Sequence, residues 1–106
     1  MAKYLFQAAY TIDGAKGVMK EGGSARKTQL AQVLERLGGR LEAFYFAFGE
    51  WDAVGIIDVP DAVTATALSM AVNASGGVKL RNTPLITPEE ADQAAKKSVG
   101  YRAPGA

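Results

Sequence analysis

The residues with the most chemical potential lie at a predicted turn, where Trp51 and Asp52 follow Gly49 and Glu50. An indole supplies a flat apolar wall and a carboxylate supplies a base or a cation ligand, so the pair could line a small-molecule pocket. A structural interpretation also accounts for them: Trp51 fills one end of the core and Asp52 caps the turn, since aromatic residues usually serve packing. Trp51 and Asp52 are therefore the first candidates for mutation.

Three further residues extend this candidate set. Asn73 is polar in an apolar helical segment, Tyr45 lies in an aromatic strand, and Arg81 lies in the last predicted strand. Asn73 has a simpler explanation, because asparagine tolerates the left-handed backbone that ends helices. The predicted ligand-binding residues are Trp51, Asp52, Tyr45, Asn73 and Arg81, and the same five would be the residues to mutate in an enzyme.

A glycine-rich segment before a predicted helix suggests an anion site. Free backbone amides at a helix N-terminus bind phosphate or carboxylate groups, and the candidates here are Lys20, Gly23, Ser24 and Arg26. The spacing matches neither the Walker motif nor the dinucleotide fingerprint, and Ser24 as an ordinary N-cap explains it more simply. Asp58 and Asp61 are interpreted as a strand end and a helix cap, so no metal site is predicted.

The chain contains no cysteine and no histidine among its 106 residues. These absences exclude disulfides, thiolate nucleophiles, Cys/His zinc sites, imidazole bases and Ser-His-Asp triads. Acid-base chemistry would fall to Asp, Glu, Lys or Tyr. No motif in the sequence implies a cofactor.

Composition indicates one globular domain spanning residues 1–106. The chain is 48% hydrophobic and 22% charged, with a net charge of +1, which gives no argument for nucleic acid or an anionic membrane as a partner. The N-terminal segment lacks an apolar run long enough for a signal peptide or a membrane span, so a cytoplasmic location is expected. A domain this small has much surface for its volume, which oligomerisation would relieve.

Hydrophobic periodicity and turn residues predict four strands and three helices. Residues 11–23 are expected to form a loop or a single helical turn around 15–20, because they contain four glycines. The predicted strands are residues 3–10, 40–48, 51–59 and 78–86; the predicted helices follow Ser24 up to Gly38, span 62–74, and follow Thr87 to about 98, with a tail from about 99.

Two segments are apolar on more faces than one sheet and one helix layer can cover. In the second strand, Leu41, Ala43, Tyr45 and Ala47 are predicted to alternate with Glu42, Phe44, Phe46 and Phe48. Both faces beyond Glu42 are therefore apolar, whereas a half-solvated strand is polar on one face. The helix over 62–74 is apolar nearly all round and is predicted to be buried on more than one side.

The order β, α, β, β, α, β followed by a helix predicts a ferredoxin-like α+β sandwich. This fold has a four-stranded antiparallel sheet with helices on one face. Helices leave the opposite sheet face bare, and a second subunit is its simplest cover. We therefore expect a homo-oligomer, a dimer or larger, that joins through the open sheet face into an α+β barrel.

Several segments resemble the GYD domain family over nearly the whole chain. The family's naming motif is glycine, tyrosine and aspartate at the hairpin, and Trp51 stands here in the place of the tyrosine. The resemblance implies a fold similar to the dimeric α+β barrel group, and it implies no activity. The segments are Lys3-Tyr4-Leu5-Phe6-Gln7, Gly22-Gly23-Ser24-Ala25-Arg26, Leu41-Glu42-Ala43-Phe44-Tyr45, Gly49-Glu50-Trp51-Asp52, Val59-Pro60-Asp61, Val72-Asn73-Ala74-Ser75-Gly76 and Lys96-Lys97-Ser98-Val99-Gly100-Tyr101.

The sequence favours a small oligomeric domain that binds a small ligand, or serves as an assembly or regulatory module, without chemistry of its own. The alternative is a cofactor-independent enzyme, monooxygenase-like or isomerase-like, by analogy with some dimeric α+β barrels. A trimeric nucleotide sensor on a similar core is disfavoured, because the turn before Trp51 is too short for a long functional loop.

Overall fold

Four antiparallel strands form one sheet in the order β2-β3-β1-β4. The computed structural model describes residues 1–47 and 49–106, so the predicted end of the second strand at Phe48 lies outside the described residues. This arrangement confirms the predicted ferredoxin-like α+β fold with an extra C-terminal helix. The elements are β1 (Ala2–Tyr10), α1 (Ile12–Glu21), α2 (Gly23–Arg36), β2 (Arg40–Phe46), β3 (Ala53–Val59), α3 (Ala62–Ala74), β4 (Val78–Leu85) and α4 (Pro88–Ala95).

The core lies between the sheet and the helices α2 and α3. Buried and half-buried residues alternate in β1 from Phe6 to Ala9 and in β3 from Ala53 to Ile57, as they do in strands with one packed face. Leu34 of α2 and Leu68 of α3 close the core from the helical side. The buried hydrophobic residues are Phe6, Ala8, Leu34, Ala53, Ile57, Val59, Ala65 and Leu68.

Gly55 in the middle of β3 admits a large neighbour, as its position in a strand suggests. A Cβ atom at Gly55 would overlap the ring of Phe6 and the carbonyl oxygen of Ala43. The Phe6 ring lies across this gap, with its centroid 5.6 Å from that of Phe44. Phe44 in turn meets Phe46 edge-on, with centroids 5.1 Å apart. An aromatic cluster therefore depends on the missing side chain.

The predicted faces of β2 are partly wrong, because the strand contains a bulge. Leu41 pairs with Ile57, whereas Ala43 pairs with Ile56, so one extra residue enters β2 between them. A bulge of one residue moves the following side chains to the opposite face. Leu41 therefore shares the helical face with Phe44 and Phe46, while Ala43 and Tyr45 lie on the open face.

Residues 12–21 form a ten-residue helix, α1, where the sequence predicted a loop or a single turn. Thr11 is its N-cap, and its Oγ1 accepts a hydrogen bond from the Gly14 amide at 3.1 Å. Gly14 lies against Gly77, whose carbonyl oxygen a Cβ at Gly14 would overlap. The absence of a side chain at Gly14 thus permits a close contact between α1 and the turn before β4. This tertiary contact outweighs the low helix propensity of glycine.

The helix caps agree with the sequence except at the start of α2. Ser24 was predicted as the N-cap, but α2 begins at Gly23, and Gly22 at φ 94° serves both as the C-cap of α1 and as the N-cap of α2. Consecutive helices leave no room for a separate serine cap. Asp61 caps α3 through the Thr64 amide at 2.8 Å, and Thr87 forms the predicted capping box with Glu90 in α4.

Helix α3 is buried on one side only within a single chain. Ala65 and Leu68 are buried against the sheet, whereas Val63 and Met70 are 78% and 68% exposed. The prediction that α3 is buried on several sides is therefore wrong for the isolated chain. The physical reason is that α3 belongs to the outermost layer, so its outward apolar face meets solvent.

The open sheet face begins at one end with a row of charges centred on Asp58. Asp58 is 4% exposed and accepts hydrogen bonds from Lys3 Nζ at 2.9 Å and Arg40 Nε at 3.0 Å. Lys3 Nζ also lies 3.0 Å from the Glu42 carboxylate. Burial alone would raise the pKa of Asp58, but its bonds to Lys3 and Arg40 outweigh burial and lower that pKa. The hydrogen bond that Lys3 donates to Asp58 is the main cause of the raised pKa of Lys3.

We expect Gly14→Ala and Gly17→Ala to have opposite effects on stability, although both glycines lie inside α1. A Cβ at Gly17 has no atom within 4 Å, so this variant gains the roughly 0.5–1 kcal/mol by which alanine favours a helix. Gly14→Ala should lose stability, because its Cβ overlaps the Gly77 backbone. Urea unfolding followed by circular dichroism measures both, and equal effects would contradict the close contact.

We expect Asp58→Asn to lower the thermal unfolding midpoint at pH 7. A carboxyl whose pKa is lowered by folding stabilises the protein above its unfolded pKa of about 3.9 and loses that contribution as the pH falls through its folded pKa. The difference between the parent and Asp58→Asn should therefore persist at neutral pH and shrink below about pH 4. Calorimetric scans across this range test it, with Glu35→Gln at an exposed position of α2 as the control. A difference that is independent of pH would refute the role of the ionised carboxylate.

Candidate functional site

Asp52, one of the predicted ligand-binding residues, is tied to the first strand. Its Oδ2 accepts a hydrogen bond from the Tyr10 amide at 2.9 Å, and its own amide donates to the Ala8 carbonyl at 2.8 Å. Its carbonyl accepts from the Ala47 amide at 2.9 Å. Asp52 therefore holds the β2–β3 hairpin against β1, and Trp51 is half-buried beside it.

Asn73 joins α3 to β4 through both ends of its side-chain amide. Its Oδ1 accepts from the Leu80 amide at 2.7 Å, and its Nδ2 donates to the Leu80 carbonyl at 3.2 Å. These bonds mimic a strand neighbour and satisfy backbone groups at the edge of the sheet. The geometry gives Asn73 a structural role.

Tyr45 and Arg81 share the open face of the sheet. Tyr45 pairs with Val54, Val54 with Gln7, and Gln7 with Arg81, so the four residues form one row across the sheet. Tyr45 and Arg81 occupy the two edge strands, three strand spacings apart, or about 14 Å. The five predicted ligand-binding residues are thus distributed over the hairpin turn, the end of α3 and the open face, and they do not surround one point.

The predicted anion site separates into two environments. Gly23 begins α2 and packs against Phe46, whose ring a Cβ at Gly23 would overlap. Lys20 and Ser24 are exposed, whereas Arg26 is half-buried. Arg26 turns toward the interior beside Tyr10, and it is the member of this set that lines a cavity.

This cavity lies between the sheet and the helices α2 and α3. Its inner part has a volume of about 60 Å³, and it adjoins an outer pocket of about 190 Å³ between α1, α2 and the turn before β4. Tyr10, Arg26 and Val78 line both parts and so mark the passage between them. The apolar walls of the inner part include Phe6, Leu30, Ile57, Leu68, Val72 and Leu80.

Arg26 is the principal charge at this passage. Its Nη1 donates to Gln29 Oε1 at 2.7 Å and lies 3.9 Å from Glu21 Oε2. The second contact is too long for a hydrogen bond, and a partly exposed ion pair of this kind contributes little to stability. The guanidinium therefore keeps donors available for an anionic group in the outer pocket.

Tyr10 places a neutral hydroxyl at the same passage. Burial raises its pKa, the charge of Arg26 opposes that rise, and the carboxylate of Asp52 adds to it. A phenol with a raised pKa stays protonated at neutral pH. Tyr10 can therefore donate or accept a hydrogen bond, but it is a poor base.

Asn82 lines the inner cavity and keeps one acceptor without a partner. Its Nδ2 donates to Ser69 Oγ at 2.7 Å, while its buried Oδ1 accepts no hydrogen bond from the residues that the structure describes. A buried acceptor without a donor costs free energy, so such atoms are uncommon. A ligand or a water molecule that donates a hydrogen bond would relieve this cost.

The sequence assigned no ligand-binding role to Tyr10 and Asn82, which with Arg26 are the polar residues that line the inner part of the cavity. The alternation of β4 contains a signal for Asn82, because Val78, Leu80 and Asn82 occupy successive inward positions and only the last is polar. Tyr10 gave no comparable signal, since an aromatic residue at an inward strand position is ordinary core composition.

The described residues contain neither a cluster suited to a metal ion nor a helix suited to crossing a membrane. Within residues 1–47 and 49–106, no group of three or more Asp and Glu side chains is arranged to hold a metal ion. In the same part of the chain, none of the helices has both the length and the apolar character needed to cross a membrane.

A family model described as the GYD domain matches residues 4–95 of this chain. The match covers β1 from Tyr4 onward, the other three strands, and the helices from α1 to the end of α4. Comparisons with curated proteins and with solved structures gave no significant match.

Proposed function

The chain belongs to the GYD domain family, and from the geometry of its cavity we propose that it is a homo-oligomeric domain that binds a small molecule and performs no reaction of its own. One observation supports this above the others. The inner cavity is lined mainly by apolar side chains, together with Arg26 and Asn82, and the buried Asn82 Oδ1 has no donor among the described residues. Binding sites combine apolar walls with a few polar groups in this way.

The cavity suggests the size and chemistry of the ligand. Its two parts, about 60 and 190 Å³, are smaller than the roughly 300–1,000 Å³ of drug-sized sites, so the ligand is a compact molecule. A carboxylate would bind Arg26 in the outer pocket. A short apolar body would enter between Leu30, Val72 and Leu80, and a hydroxyl or amide donor at its far end would reach Asn82.

The open sheet face supports the oligomeric part of the proposal. Its middle row across the sheet is Ala43, Ile56, Leu5 and Thr83, and the next row adds Tyr45 and Val54. Tyr45 is 69% exposed in the single chain. A second copy placed face to face would bury these apolar groups, as symmetric dimers commonly do.

No observation favours the enzyme alternative at the residues first considered. Asp52 and Asn73 use their side chains on backbone groups. In the cavity, the raised pKa of Tyr10 keeps its hydroxyl protonated at neutral pH. The assembly or regulatory role is compatible with ligand binding, because a ligand against α2 and α3 touches the helical side of the same sheet that would dimerise. A cytoplasmic location stays a prediction from the sequence.

We expect small carboxylates to bind at Arg26 and their neutral amides to bind at least about tenfold more weakly, since a charge-assisted hydrogen bond is roughly twice as strong as a neutral one. Protein-observed NMR with a panel of carboxylate fragments and matched amides measures this. The chemical-shift changes caused by the carboxylates should be largest at Tyr10, Arg26 and Val78. Arg26→Gln should abolish the preference for carboxylates over amides, and Lys27→Gln, at an exposed position of α2, should preserve that preference. Shifts confined to the open sheet face would contradict the assigned cavity.

We expect Tyr45→Lys to raise the dimer dissociation constant by at least about tenfold, because a buried aromatic side chain contributes about 1.5–3 kcal/mol and a buried ammonium is costly. Val63→Lys is the matched control, since Val63 is similarly exposed on the outer face of α3. Light scattering and sedimentation velocity give the mass. A parent protein that is monomeric at micromolar concentration, or a loss of dimer in Val63→Lys alone, would refute association through the open sheet face.

A further inference from the structure

Gly17 is a glycine in the interior of α1 that the packing of the fold does not require. Its φ is not positive, so its backbone conformation is open to any residue. A Cβ at Gly17 would meet no other part of the described chain within 4 Å, whereas a Cβ at Gly14 would overlap the Gly77 carbonyl. Glycine inside a helix nevertheless costs stability relative to alanine. The missing side chain at Gly17 therefore calls for an explanation other than packing.

The outer pocket lies against the face of α1 that contains Gly17. Four residues of α1 line this pocket, namely Gly14, Gly17, Val18 and Glu21. They follow the spacing i, i+3, i+4 and i+7, which places them on one face of the helix. Gly17 is half-buried on this face. A side chain at Gly17 would therefore project from the face that borders the pocket and take up part of the space that Arg26 also lines.

The outer pocket is larger than a carboxylate requires. Its volume is about 190 Å³, against about 60 Å³ for the inner part of the cavity. At about 30 Å³ for each molecule of liquid water, the outer pocket corresponds to about six water-sized groups, and a carboxylate fills about half of that space. The inner part corresponds to about two such groups. A ligand that fills both parts is therefore bulkiest at the end that carries the carboxylate.

Glu21 leaves Arg26 accessible to a ligand carboxylate. The Glu21 side chain is 43% exposed, and its Oε2 lies 3.9 Å from Arg26 Nη1, which is beyond hydrogen-bond distance. A partly exposed ion pair of this kind contributes little free energy. A carboxylate that forms two parallel hydrogen bonds with the guanidinium is bound more strongly than that, so it replaces Glu21 at little cost.

We propose that Gly17 determines which carboxylates the site accepts, because its missing side chain leaves room for a substituent on the carbon next to the carboxylate. This inference rests on the proposed binding of a carboxylate at Arg26. The ligand class is a short carboxylic acid that is branched or cyclic at that carbon and narrow beyond it. Gly17 thus contributes space to the site, and α1 forgoes the stability that alanine would add.

Two isomeric acids test this assignment in the full chain. Pivalate and pentanoate have the same number of carbon atoms and the same charge, but only pivalate is branched beside the carboxylate. Gly17→Leu should weaken pivalate binding at least about fivefold, because overpacking a site typically costs that factor or more, and should change pentanoate binding less than about twofold. Gly17→Ala should show the same selectivity to a smaller extent. Protein-observed NMR titrations give the dissociation constants of both acids.

Two controls separate the size of the pocket from other effects. Ala15→Leu enlarges an exposed residue of α1 that does not line the pocket, so it should change the binding of neither acid. Arg26→Gln should weaken both acids alike, because it removes the charge that both carboxylates contact. Circular dichroism and urea unfolding should show both Gly17 variants folded and at least as stable as the parent, since alanine and leucine favour a helix over glycine.

A selective loss of pivalate in Gly17→Leu supports the proposal. Parent-like pivalate binding in Gly17→Leu overturns it, and so does an equal or greater loss of pentanoate, because the new side chain then hinders the carboxylate itself. If Arg26→Gln weakens both acids in that case, the carboxylate site stands and only the role of Gly17 fails. A parent protein that binds neither acid in this cavity refutes the proposed function and this inference with it.

Discussion

The extra residue in β2 is the constraint on which both faces of the sheet depend. Between Leu41 and Ala43 the register against β3 shifts by one residue, and the shift exchanges the faces of all later side chains. Phe44 and Phe46 consequently join Phe6 over the gap at Gly55, while Tyr45 turns to the open face. Without the bulge, the aromatic cluster and the apolar open surface would exchange residues, and neither the core nor the proposed interface would have its present composition.

Polar residues in this protein divide into those that the backbone uses and those that it leaves available. Asp52 and Asn73 hold strands and helices together through main-chain groups, and Asp58 is satisfied by two cations. Arg26 and the Oδ1 of Asn82 keep hydrogen-bonding capacity at a cavity. Buried polar groups are normally satisfied, so the unsatisfied acceptor is more informative about binding than the conspicuous Trp51 and Asp52 pair.

Apolar side chains divide in a similar way, into those that the core buries and those that stay exposed. The open sheet face, the outer side of α3 and the residues after β4, 86–106, together expose large apolar side chains that a single chain of this size leaves uncovered. A small domain has too little volume to bury them all. The aromatic second strand and the nearly all-apolar α3 indicate this excess in the sequence, but the bulge and the single helix layer determine where on the surface it lies.

The sequence by itself determined the elements that local patterns specify: four strands, the amphipathic α2, the caps of α3 and α4, and hence the ferredoxin-like order of the sheet. These follow from periodicity and capping, which act over a few residues. Only the tertiary structure decided the rest. Gly14 of α1 fits against Gly77, the faces of β2 follow from its pairing with β3, and Tyr10, Arg26 and Asn82 line one cavity although 72 positions separate the first from the last. Such contacts depend on distant parts of the chain, and no local pattern of residues contains them.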